Sequence, residues 1–147
     1  MPTSAAGNKA AGFTLLELMV VVAIMAIATA SVGLAMRDGG ATQLQREGER
    51  LAALLESARA QSRSSGFTVR WRASAQDGFR FEGLVQNDLP SRWLEAGTGV
   101  RGPAVLWLGP EPLIGPQQVV IVSQTYPGHA VRVATDGLRP FAAEPLQ

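Results

Sequence analysis

The sequence predicts an α+β chain: a long N-terminal helix, transmembrane in its first half, packed on a mostly antiparallel β domain. Three observations predict it. An apolar run without Pro, Lys, Arg or Asp extends from Phe13 to Met36. Helical apolar spacing follows at Leu44, Leu51, Leu54, Leu55 and Ala58. After Gly66 the period changes to two, and turn signals recur. The expected divisions after residue 12 are therefore 13–36, the transmembrane helix; 37–65, its continuation; and 66–147, the β domain.

The apolar run holds 24 residues. As a helix it would be roughly 36 Å long, enough for a hydrocarbon core of ~30 Å. Its eleven strongly apolar side chains, from Phe13 to Leu34, favour insertion by roughly 3 to 7 kcal/mol. A charge at mid-helix costs on the order of 3 kcal/mol on the same scale. Glu17 lies near one end, where the cost is lower. Two readings follow: an anchor whose Glu17 merely reaches the headgroups, or a buried carboxylate with a partner. Ala28-Thr29-Ala30 also mimics the small-x-small site of a secretory signal, which is cut after its apolar region.

Arg37 to Gln147 is about one small domain's worth of chain. The absence of Cys excludes disulfides and Cys-based metal sites and is compatible with a periplasmic domain. A net charge of +1 argues against a wholesale polyanion binder. Orientation by charge is balanced, because Lys9 precedes the run while Arg37 follows it, partly offset by Asp38. Glu47–Arg50 and Glu56–Arg59 are i,i+3 pairs suited to the wet face of the continuing helix. Gly39-Gly40 interrupts the pattern, as a flexible joint or a locally extended stretch. Ser64-Ser65-Gly66 ends the helix, with Gly66 as its cap.

Phe67, Val69 and Trp71 alternate with Thr68, Arg70 and Arg72, the pattern of a half-buried strand. Asp77-Gly78 is a hairpin signal, and Phe79 and Phe81 alternate with Arg80 and Glu82 on the return. Leu84 to Pro116 is broken by five prolines, with a short strand expected from Val105 to Leu108. Further strands are expected over Gln118–Gln124 and Val131–Thr135, joined by a turn at Tyr126-Pro127-Gly128-His129. Asp136-Gly137 makes another turn, and Leu138-Arg139-Pro140-Phe141 closes the domain.

Candidate chemistry outside the apolar run is thin. His129, the single histidine, reads as a turn residue before it reads as a base or ligand. Asp77 and Asp136 each precede Gly, so turn chemistry explains them better than a carboxylate pair does. Gly97-Thr98-Gly99 lacks the spacing of a dinucleotide loop. Phe67, Trp71, Phe79 and Phe81 read as core, whereas Trp93 or Trp107 offers an anchor for a partner. Arg59, Arg63, Arg70, Arg72 and Arg80 cluster in sequence. Arg70 and Arg72 project from one strand face, either as an anion or DNA contact or as an exposed or cross-strand-paired face; the second reading is preferred.

Gly12-Phe13-Thr14-Leu15-Leu16-Glu17, set directly before the apolar run, resembles the processing site of type IV pilin-like precursors. The resemblance implies a leader peptide, residues 1–12, cut between Gly12 and Phe13 by prepilin peptidase on the cytoplasmic side. It implies N-methylation of Phe13 and an assembly role for Glu17, paired with the amino terminus of a neighbouring subunit. The leader departs from type in being weakly basic, with Lys9 its single charged side chain. The strand Val69-Arg70-Trp71, the hairpin Asp77-Gly78-Phe79-Arg80-Phe81 and the ending Val133-Ala134-Thr135-Asp136-Gly137-Leu138-Arg139-Pro140-Phe141 resemble the H-type minor pseudopilins of type II secretion. The related FimT group of pilus minor pilins shares that ending.

What the resemblance implies is a pilin-like subunit near the tip of a periplasmic pseudopilus, without catalytic residue, metal or cofactor. Its expected partners are other minor and major pseudopilins, prepilin peptidase, the inner-membrane secretion platform and membrane lipid; nucleic acid is not expected. Its expected place is the bacterial inner membrane, single-pass, with the amino end cytoplasmic and the C-terminal domain periplasmic. The alternatives are a FimT-like minor pilin in pilus assembly or DNA uptake, and an anchored periplasmic enzyme.

Overall fold

The computed structural model describes residues 14–74, 78–86, 88–102 and 104–146. Helix α1 runs Leu15–Ser65, followed by β1 Arg70–Ser74, β2 Gly78–Glu82, β3 Thr98–Val100, β4 Ala104–Trp107, β5 Gln117–Ser123, β6 Ala130–Thr135 and β7 Ala142–Leu146. The chain divides into two compact units, residues 1–36 and 37–147. The class expected from sequence, a long helix with antiparallel sheets, is the one observed.

In the second unit the strands form two antiparallel sheets, ordered β2-β1-β4 and β3-β5-β6-β7. Trp71 pairs with Phe81 and Leu106, and Val133 pairs with Val119 and Ala143. One face of α1 supplies Leu44, Leu51, Leu55 and Ala58 to a shared core with Trp71, Phe79, Phe81, Leu108, Ile121 and Val133. The helix ends where expected. Gly66 takes φ +73°, the left-handed region that favours glycine, and its N–H donates to Ser62 O at 2.9 Å.

Gly39 and Gly40 do not break α1. Nothing lies within 4 Å of a Cβ placed on Gly39, but one on Gly40 would meet the Tyr126 ring at 2.5–2.7 Å. Gly48, two turns further on the same face, would place a Cβ 2.7 Å from Val131 Cγ1. These two glycines let the helix backbone approach the side chains of the 4-stranded sheet and its turn. The helical penalty of glycine, about 1 kcal/mol each, is offset by that contact.

Other sequence expectations need correction. Phe67 is not core: it is exposed because the ladder starts only at Arg70. Phe67 lies in the turn after Gly66, where its O accepts from Ser62 Oγ and its N–H donates to Ser65 Oγ. The i,i+3 pairs form as the spacing predicts, Arg50–Glu47 at 2.9 Å and Arg59–Glu56 at 3.4 Å. They do not stand on a wet face, since Glu47 is 1% and Arg59 3% exposed. Positions 47 and 59 share the buried side with Leu44, Leu51, Leu55 and Ser62. Loop backbone bonds to both pairs, while Arg59 Nε is buried without a hydrogen-bond partner among the described residues. Glu47 Oε2 accepts from Leu94 N–H at 2.8 Å, and Arg50 Nη1 donates to Arg92 O. Arg59 Nη2 donates to Gly137 O at 3.0 Å and Pro112 O at 3.3 Å, while Glu56 Oε1 accepts from Phe141 N–H.

Strands β3 and β7 were not foreseen. The chain does not close at Phe141 but returns as β7 beside β6, with Arg132 opposite Glu144. The Asp136 turn that precedes it is held at several points. Asp136 Oδ1 accepts from the N–H of Leu138 and of Arg139, Oδ2 accepts from Arg139 Nε, and Thr135 Oγ1 donates to Arg139 O. A Cβ on Gly137 would lie 2.0 Å from Ile114 O, so only glycine fits at its φ of +92°. The backbone and side-chain bonds from Arg139, then that from Leu138, hold the Asp136 carboxyl down to about 2.

Candidate functional site

Gly12 and Phe13, the cleavage and methylation positions, lie outside the described residues; Thr14 to Glu17 are described. Thr14 stands just before the first helical residue, and its Oγ1 accepts the N–H of Glu17 at 3.2 Å. Its carbonyl takes the N–H of Leu18 at 3.2 Å. Thr14 is thus an N-cap and Glu17 the third helical residue, the Thr-x-x-Glu arrangement of a capping box with its hydroxyl half formed. This local role of Glu17 escaped the sequence reading. The signal was legible, a threonine three residues before a glutamate at the start of an apolar run. A carboxylate in the first turn also faces the positive end of the helix dipole.

Every side chain from Thr14 to Thr29 is exposed. Leu15, Leu16, Ile24 and Ile27 are each more than 60% exposed. Such a surface greatly exceeds the scattered apolar side chains of an ordinary soluble surface. Among the described residues no cation lies within ion-pair distance of Glu17. Among them, too, no helix is long and apolar enough to cross a membrane. The side chains described in this stretch end at Thr29, about 24 Å of helix, whereas the apolar run in the sequence continues to Met36.

The second set of candidates, Arg70 and Arg72, lies on the exposed face of β1. Both turn toward Glu82 on β2, Arg70 at 3.6 Å and Arg72 at 3.5 Å, and Arg80 joins them at 3.2 Å. The hydrogen bond from Arg80, followed by the charges of Arg72 and Arg70, lowers the Glu82 carboxyl below its ordinary value. Of the two tryptophans left as anchors, Trp93 packs edge-on against Phe79 at 4.7 Å. Trp107 remains 52% exposed. His129 sits half-buried in its turn, its N–H donating to Tyr126 O at 3.1 Å. Asp77 lies outside the described residues.

The helix opens on a Thr14 cap and exposes the mostly apolar side chains from Leu15 to Ala28, a surface of the kind that lipid or other helices cover. Residues 7–33 match the family model described as the prokaryotic N-terminal methylation motif, and so include Gly12, Phe13 and Glu17. The match supports the type IV pilin superfamily and processing by prepilin peptidase. No curated protein and no solved structure matches the chain.

Proposed function

We propose that the chain is a minor pseudopilin of type II secretion, a non-enzymatic subunit near the tip of a periplasmic pseudopilus. It primes filament assembly and aids export of folded proteins across the outer membrane. The observation that supports a pilin-like subunit is the methylation motif over residues 7–33, continued by a capped helix whose side chains are exposed from Thr14 to Thr29; the secretion role is taken from the resemblance of the hairpin and the C-terminal ending.

The physics of the site suits assembly. Cutting before Phe13 places a new cationic amine next to Thr14, at the positive end of α1. A cation there is disfavoured by the helix dipole, so it gains from a carboxylate partner. Glu17 lacks one among the described residues and sits among lipid-facing side chains. An unpaired charge is costly in an apolar bundle, and a paired one is tolerated. Pairing Glu17 of one subunit with the Phe13 amine of the next therefore selects one stagger between neighbours. The anchor is Phe13 to Met36 in the inner membrane, the amino end cytoplasmic and the domain from Arg37 onward periplasmic.

The reading is tested by Glu17→Ala in cells that hold the full secretion system. Membrane insertion and cleavage persist, while the yield of co-purified partner pseudopilins falls. Equal recovery of partners with the parent chain and with the variant would refute the role. The second reading, a pilus minor pilin in pilus assembly or DNA uptake, draws on the three arginines gathered on one glutamate. Deleting the gene separates the two: loss of exported proteins with pili intact supports the first, and the converse supports the second.

A further inference from the structure

One face of the β2-β1-β4 sheet is covered by the core and the other carries three adjoining rows. Arg80 and Glu82 stand on β2, Arg72 and Arg70 opposite them on β1, and Val105 and Trp107 opposite those on β4. Arg80 is 63% exposed in its side chain, and Val105 and Trp107 both belong to the exposed apolar residues. Charge and apolar surface therefore adjoin within one sheet width. Arg70 links them, its guanidinium carbon 5.1 Å from the centre of the Trp107 ring.

We infer that this face docks an acidic, partly apolar segment of a partner protein, whose carboxylate meets the arginines while an apolar side chain covers Trp107 and Val105. Three guanidiniums share one carboxylate, which leaves positive charge on Arg72 and Arg80 in a geometry that already holds a carboxylate. Guanidinium forks match carboxylates in bidentate fashion. Polyanion binding instead depends on many spaced phosphate contacts; here the three cations converge within 3.6 Å of one side chain and the chain carries +1 overall. Beside Trp107 an open cleft of about 510 Å³, lined by Leu113, Ile114 and Gln117 among others, receives the apolar side chain.

Docking uses the face because the edge is covered at this point. The Gln117 side-chain amide accepts the Trp107 N–H at 2.7 Å and donates to Trp107 O at 2.8 Å, taking the place of a neighbouring strand. The inference rests on the assembly reading only for where the partner comes from.

The test uses the full chain in detergent micelles and three fluorescein-labelled probes: a short peptide alternating glutamate and valine, its lysine–valine counterpart, and a short single-stranded oligonucleotide. The glutamate–valine peptide binds saturably and the lysine–valine peptide does not. Binding weakens roughly tenfold in Arg72→Gln/Arg80→Gln and in Trp107→Ala, the latter at unchanged charge, with circular dichroism confirming the fold. No saturable binding, equal binding by the variants, or tighter binding of the oligonucleotide overturns the inference. Cleavage by prepilin peptidase, followed on the same variants, stays at the level of the parent chain. Failure of prepilin peptidase to cut the parent chain between Gly12 and Phe13 would count against the N-terminal reading, independently of the peptide result.

Discussion

Along residues 14–29 the leucines, isoleucines, valines and methionines face outward, and Glu17 has no ion partner among the described residues. In residues 37–146 Leu51, Leu55, Ile121 and Val133 are covered, and even Glu47 and Arg59 are buried with their bonds made inside the domain. The same residue types are used in opposite ways. The domain covers most of its core-forming apolar side chains and pairs its buried charges from within its own sequence. On the proposed function, the described part of the first region leaves both to be satisfied from outside, by lipid and by neighbouring subunits. The proposed assembly role is placed at the region whose described side chains are not covered by the chain itself.

The contrast can be broken first at its most self-contained point. Arg59→Ala leaves Gly137 O, Pro112 O and Glu56 without their buried donor. Urea unfolding of the chain in detergent should show a loss of about 3–5 kcal/mol, against which a loss below about 1 kcal/mol would show that the domain does not depend on its buried ions. Smaller effects of opposite sign are expected at two adjacent glycines. Gly40→Ala forces a methyl into the Tyr126 ring and lowers stability by about 1–3 kcal/mol from overpacking, less up to ~1 kcal/mol of helix propensity. Gly39→Ala meets nothing and raises stability by about 0.5–1 kcal/mol. Thermal melts that move in the same direction for both would contradict the close helix–turn contact.

The pH dependence sharpens the domain side. Asp136 is held down to about 2 in the folded chain, against an ordinary 3.8. A depressed carboxyl contributes stability above its unfolded value, and that contribution fades as pH falls from about 4 toward 2. The stability gap between the parent chain and Asp136→Asn should therefore be steady above pH 4 and narrow below it. A gap constant from pH 6 to pH 2 would show that the charge of Asp136 does not hold the turn. The Asp136 side chain is exposed to solvent, so the effect is the smallest of the set.

Periodicity made much of this legible. The helical spacing of Leu44, Leu51 and Leu55 gave the buried face of α1, and the alternation in Phe79-Arg80-Phe81-Glu82 gave β2 with its faces assigned. Spacing also paired Glu47 with Arg50 and Glu56 with Arg59, but it could not say which side they stood on. Charged residues are expected in water, and only tertiary contacts with Leu94, Pro112 and Gly137 reverse that. β7 was illegible because Ala-Ala-Glu-Pro-Leu has little strand propensity; it is a strand because β6 and α1 flank it. Its Pro145 is tolerated at a sheet edge. β3, three residues between glycines and prolines, was too short to show a period. At the candidate site the motif residues were named from sequence and the Thr14 cap was legible there but unread, whereas the gathering of three arginines on Glu82 required the coordinates.

The central claim concerns chemistry at the amino end of the chain, and intact-mass and peptide mass spectrometry of protein purified from its native membranes tests it most directly. The account predicts a mature chain that begins at Phe13 with one methyl group on its amino nitrogen. A chain that retains Met1, or one cut on the far side of the apolar run near Ala30, would contradict it.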